Sequence, residues 1–133
     1  MHALREAAAG LKHLQPIMIA PPPKKLPVAL ADCSPIELRQ IARVLVLVSN
    51  HTGVSIKDLD SRSRSARVAK ARFLCMALIR ATTLLPQAQI ASIFRRDHAV
   101  AHLAMKTIRH RFHEDARFAA DYRTLLFLSI SAT

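Results

Sequence analysis

From residue 34 onward, apolar residues recur at three- and four-residue spacings, and no stretch alternates apolar with polar positions for long. That pattern predicts an all-α protein. Ser34-Pro35-Ile36-Glu37 has the form of a capping box, with proline where its missing N–H costs nothing. It opens a helix to about Asn50 with Ile36, Ile41, Val44, Leu45 and Val48 facing inward, and Thr52-Gly53 stops it. Val44 to Val48 would suit a strand in isolation, but its helical flanks and the length favour a buried helix segment. Ser55 to Asp58 repeats the cap and opens one short turn that packs Ile56 and Leu59.

A helix is expected from about Arg67 to Thr82, burying Val68, Phe73 or Leu74, Ala77, Leu78 and Ala81. Leu84-Leu85-Pro86 breaks it, and a short helix from Gln87 to Phe94 buries Ile90 and Phe94. Arg95-Arg96 form a turn. Asp97 then caps a helix to about Phe112 that turns Ala101, Ala104, Met105 and Ile108 inward. Glu114 and Asp115 place negative charge at the start of a last helix, 116–130, whose Phe118, Tyr122, Leu125, Leu126 and Ile130 close the core. The expectation is about six helices. A small apolar helix, a turn and a capped basic helix make a helix-turn-helix.

Residues 1–33 read as a flexible tail ahead of a folded domain at 34–133. Ala3 to Leu14 would form a short amphipathic helix with Leu4, Ala7, Ala8 and Leu11 on one side, and Pro16 ends it. Pro21 to Pro27 is a stiff polyproline-type linker. A plain tether is the first expectation for this segment, and a docking peptide for a protein partner the second.

Charge sharpens the picture. Residues 61–113 hold 11 of the 20 lysines and arginines but only one of the 9 acids, Asp97, so +10 of the net +11 lies there. Such a concentration suits a polyanion, with nucleic acid first and an anionic membrane surface second. No apolar run approaches the roughly 20 residues of a membrane span, and no secretory signal core is present. A cytoplasmic, nucleoid-associated protein is expected. Cys33 and Cys75 have no metal or redox spacing and read as free buried thiols.

The wording of this core resembles the C-terminal DNA-binding domain of the bacterial replication initiator DnaA, a Trp-repressor-like helix-turn-helix. The resemblance covers about 95 residues, from Ser34 to about Ser129. The family's basic loop, Ser-Lys/Arg-x-Arg, is Ser61-Arg62-Ser63-Arg64 here, and its Val-Ala-x-Pro-Arg is Val68-Ala69-Lys70-Ala71-Arg72. Its Ala-Met-x-Leu is matched by Cys75 to Leu78. Its Ile-Gly-x-x-Phe-Gly-Gly-Arg-Asp-His is matched by Ile90 to His98, with one glycine missing and Arg95 in place of the other. The resemblance implies an all-α DnaA C-terminal-domain-like bundle in which the loop enters a minor groove and the second helix reads a major groove. The family's two hydroxyl residues after the histidine are Ala99 and Val100 here. Its later histidine falls at Leu103, with His102 one place earlier. The matching basic motifs imply a phosphate grip like the family's, and these departures imply an altered or weak sequence preference.

On this basis the expected DNA-binding residues are Arg62, Arg64 and Arg67 in and beside the loop, and Lys70 and Arg72 holding phosphates. They continue with Arg95, Arg96, Asp97 (a cap first), His98, Ala99, Val100, His102, Leu103 and Lys106 around the second helix. His98 with His102, and His110 with His113, have spacings that could ligate a metal, but no glutamate lies within the first pair and no metal or other cofactor is expected. No acid pair, Ser-His-Asp set or activated cysteine assembles, and no Gly-rich phosphate loop occurs, so no enzyme activity and no small-molecule substrate are expected. The chain is expected to be a free-standing relative of that one domain: a double-stranded-DNA-binding accessory or regulatory factor in replication or transcription. Two other readings remain: a protein-interaction module with decayed DNA readout, and an RNA- or ribosome-associated basic protein.

Overall fold

Ser34 opens the first helix in the manner its sequence suggests. Its hydroxyl accepts from the Glu37 N–H at 3.1 Å, and the Glu37 carboxylate accepts from the Ser34 N–H at 2.8 Å. The computed structural model describes Leu30 and residues 32–131, so the expected helix at 3–14 and the proline linker lie outside the described residues. Among these, six helices follow in order: α1 Pro35–Thr52, α2 Ile56–Leu59, α3 Ala66–Thr82, α4 Gln87–Ile93, α5 His98–Glu114 and α6 Ala116–Ser131. This is the all-α bundle expected of a Trp-repressor-like helix-turn-helix.

Each boundary has a local cause. Gly53 ends α1 at φ 76°, a left-handed conformation open to glycine, and its N–H donates to Ser49 O at 2.9 Å. Ser55, Ser65 and Asp97 cap α2, α3 and α5 by accepting from the backbone N–H three residues on. Asp115 does the same for Phe118 at the start of α6.

The core is organised around α3, which packs against each of the other five helices. Val68, Ala71, Leu74, Cys75, Met76, Ala77, Leu78 and Ile79 are all buried, so α3 has an apolar girdle rather than the single stripe expected. The α1–α6 pair runs antiparallel: Arg43 Nη1 donates to Ser129 O at 3.4 Å, and His51 faces Asp121 at 3.9 Å.

Several expected core positions differ. Ile36 is 79% exposed and Ile130 57% exposed. Each lies five residues from a buried partner, Ile41 and Leu125, which carries it about 140° around the helix. Ser129 takes the inward position in place of Ile130. Ala81 is exposed in the last turn of α3, where it lines an open groove beside Met105 and Tyr122. At the other end, Leu30 is fully buried and Cys33 nearly so, which places both in the core rather than in a tail. Gln89 of α4 donates to the Cys33 sulfur at 3.6 Å.

Neither cysteine takes part in a disulfide, and both are buried. Burial, with help from Glu37 and Asp32, pushes Cys33 up to about 11, and full burial drives Cys75 well above its ordinary range.

Replacing Ser34 by alanine removes one hydrogen bond of the capping box. It should destabilise the fold by about 1 kcal/mol, read as a melting temperature lower by roughly 4–8 °C. An unchanged melting curve would mean that α1 starts independently of its cap.

Candidate nucleic-acid interface

The loop between α2 and α3 uses its alternation of serine and arginine in two ways. The serines bond inward along the chain: Ser61 Oγ donates to Asp58 O at 2.6 Å and accepts from Ser63 N–H at 3.1 Å, and Ser63 Oγ accepts from Ser65 N–H at 3.3 Å. The interleaved Arg62 and Arg64 are left exposed. Alternation therefore separates the groups that shape the loop from the groups that face outward.

Arg72 pins this loop from below. It is only 3% exposed. Its Nε donates to Leu59 O at 3.0 Å, Nη1 to Ser63 O at 2.6 Å, and Nη2 to Asp58 O at 3.0 Å and to Ser61 O. The expectation that Arg72 holds phosphate is therefore corrected: its donors are spent on carbonyls at the end of α2 and in the loop, and it shapes the surface without reaching it. Burial is the main influence lowering its pKa, followed by the nearby Arg96 cation.

The turn between α4 and α5 closes by a Schellman pattern. Arg96 N–H donates to Ala91 O at 2.9 Å, and Arg95 N–H to Ser92 O at 3.0 Å. Arg95 occupies the left-handed position at φ 58°, usually taken by glycine. For a residue with a Cβ that conformation costs roughly 1–2 kcal/mol. The side chain of Arg95 reaches across to the loop, where Nη1 donates to Asp60 O at 2.9 Å and lies 3.2 Å from the Asp60 carboxylate. Phe94 anchors the turn in the core at 2% exposure.

These elements bring Arg62, Arg64, Arg95, Arg96, Asp97 and Val100 together around one open groove. Beside it, α5 turns Ala101, Ala104 and Ile108 inward and exposes His98, Ala99, His102, Leu103 and Lys106. Both His102 and Leu103 are exposed, Leu103 at 51%. Arg67 and Lys70 are not part of this groove. They line a second depression with His51, Arg111 and Arg117, and Arg67 Nη2 donates to Gly53 O at 2.9 Å.

The sequence reading missed Arg111 and Arg117, whose positions depend on how α5 and α6 pack, and the buried Asp60 that receives Arg95. The one available signal for the latter was an arginine where the family's turn has glycine. Among the described residues no group of three or more metal-ligating side chains comes together, and no helix is long and apolar enough to cross a membrane.

The short α4, the tight turn and the capped α5 with its exposed face define a helix-turn-helix protein. Residues 41–108, just over half of the chain, match the family described as the bacterial DnaA protein helix-turn-helix, and the chain belongs to that family. It is 32% identical over 82 residues to the chromosomal replication initiator protein DnaA of Leptospira biflexa, covering 62% of this chain and 19% of that protein. The protein of the same name from Chromobacterium violaceum is 35% identical over 80 residues, covering 59% of this chain and 17% of the other. The one from Wolinella succinogenes is 30% identical over 79 residues, at 59% and 18%. The chain thus spans less than a fifth of these relatives' length. No solved structure matches it.

Arg72→Met keeps an unbranched side chain but removes the guanidinium donors from the carbonyls of Asp58, Leu59, Ser61 and Ser63. It should destabilise the protein by on the order of 2–4 kcal/mol, whereas Arg64→Ala should change stability by no more than about 0.5 kcal/mol. Equal melting temperatures for the two variants would refute the division between an inner and an outer arginine.

Proposed function

We propose that this protein binds double-stranded DNA, with α5 lying in the major groove and the loop at 61–65 gripping the adjacent minor groove or backbone. The observation that carries the reading is the convergence of loop and turn arginines on one groove beside the exposed face of α5. A flexible guanidinium head on a fixed loop suits a narrow, electronegative minor groove. Membership of the DnaA helix-turn-helix family and the +10 charge of residues 61–113 support the same reading.

The proposed contacts are Arg62, Arg64, Arg96, His98, Ala99, Val100, His102, Leu103 and Lys106, with Asp97 as the cap that orients α5. Arg67 and Lys70 would meet backbone phosphates beyond the groove. The role proposed is that of an accessory or regulatory factor in replication or transcription, since the named relatives are chromosomal replication initiators. A nucleoid-associated location follows from that role.

Binding should be dominated by phosphate contacts. With about five to seven phosphates neutralised, the slope of log affinity against log salt should be roughly −4.5 to −6. Arg64→Ala and Arg96→Ala should each weaken binding while leaving the helical circular-dichroism signal in place. A slope near zero would remove the nucleic-acid reading, including an RNA-associated role.

Sequence preference should be weak or altered. Good bidentate base contacts discriminate by about 1–3 kcal/mol each. The exposed face of α5 offers methyl groups at Ala99, Val100 and Leu103, leaving His98, His102 and Arg96 as polar readers. In competition at near-physiological salt, an A-tract duplex should compete better than a scrambled duplex, and the initiator's own box should have little advantage. A preference for that box of 100-fold or more would show that the methyl-bearing face reads it after all.

A further inference from the structure

Arg95 lies on the proposed DNA face, and its charge alone would make it a phosphate contact. The geometry points to a different role. We infer that Arg95 is a positioning residue that fastens the basic loop to the helix-turn-helix turn, so that the two DNA-contacting elements present one fixed spacing. The inference rests on the DNA-binding reading above.

Three observations carry it. First, Nη1 of Arg95 is engaged at Asp60 twice, through the backbone carbonyl at 2.9 Å and the carboxylate at 3.2 Å, across 35 residues of sequence. Second, the Asp60 side chain is 1% exposed while that of Arg95 is 39% exposed, so the arginine reaches from the surface down to a buried acceptor. Third, Arg95 holds a left-handed backbone position that glycine would occupy without strain. A side chain kept at such a position needs a compensating role, and the contact with Asp60 supplies one.

The clamp completes what Arg72 begins. Arg72 holds the carbonyls of Asp58, Leu59, Ser61 and Ser63 from the side of α3, and Arg95 takes the carbonyl of Asp60 from the side of the turn. Five of the six residues at 58–63 are thereby held by a guanidinium, while Arg62 projects outward. A duplex would then meet Arg62 and Arg64 at a set distance from α5, with little loop ordering left to do on binding.

Two variants of the full chain test this: the competing roles predict opposite signs for Asp60→Asn and different salt slopes for Arg95→Gly. Arg95→Gly suits the turn and removes the tether. Asp60→Asn neutralises a negative charge beneath a DNA-facing groove, which electrostatics alone would turn into tighter binding. The clamp predicts that both variants bind duplex DNA more weakly, on the order of tenfold, since order lost at even one loop residue is of that size. It also predicts an unchanged salt slope and faster amide exchange at Ser61, Ser63 and Ser65 in the free protein.

A salt slope shallower by about one for Arg95→Gly, tighter binding by Asp60→Asn and unchanged exchange would make Arg95 an ordinary phosphate contact and overturn the inference. If the unaltered protein fails to bind duplex DNA, the functional proposal falls. The exchange measurement then decides the clamp by itself, and unchanged exchange in Arg95→Gly overturns it.

Discussion

A guanidinium withdrawn from water is costly unless its N–H groups find acceptors. Arg72 meets that condition with backbone carbonyls, drawing those of Asp58, Leu59, Ser61 and Ser63 around one planar group. The geometry of the basic loop depends on this arrangement. Without it the serine turns would still form locally, but nothing would fix the loop against α3. The Asp58 and Asp60 charges favour the cation, and Arg96 opposes it. The same guanidinium is thus a tie within the fold and part of the positive field above it.

Other arginines follow a similar rule. Arg43 donates to Ser129 O, Arg67 to Gly53 O and Arg80 to Leu85 O, in each case from side chain to backbone. A carbonyl oxygen can orient a guanidinium without cancelling its charge. A chain with 20 basic and 9 acidic residues can therefore hold arginines in place and still project their full charge outward. Salt bridges in the same positions would have consumed the field that a polyanion needs.

Much of the fold was legible because its boundaries are written in short local patterns. The capping box at Ser34, the serine caps at Ser55 and Ser65, the Asp97 cap and the Gly53 stop all act within four residues. Ile36 and Ile130 face outward despite their apolar character, because a five-residue spacing carries each off the buried stripe of its helix. The site was legible as a cluster of charge and as a turn, but not in its division of labour. Arg62, Arg64 and Arg72 are chemically identical. Only the packing of α2 on α3 decides that the third turns inward, and only the bridge from Arg95 to Asp60 reveals what the turn does to the loop.

Because α3 is sheathed on nearly every side, none of its apolar surface is covered until its neighbours arrive. Its stability is therefore shared property, and the helices that flank it cannot separate without exposing the same residues. Such a scaffold melts as a unit rather than by shedding one helix at a time. The recognition helix and the basic loop, which meet at one groove and are both held to that central helix, consequently gain or lose their order together.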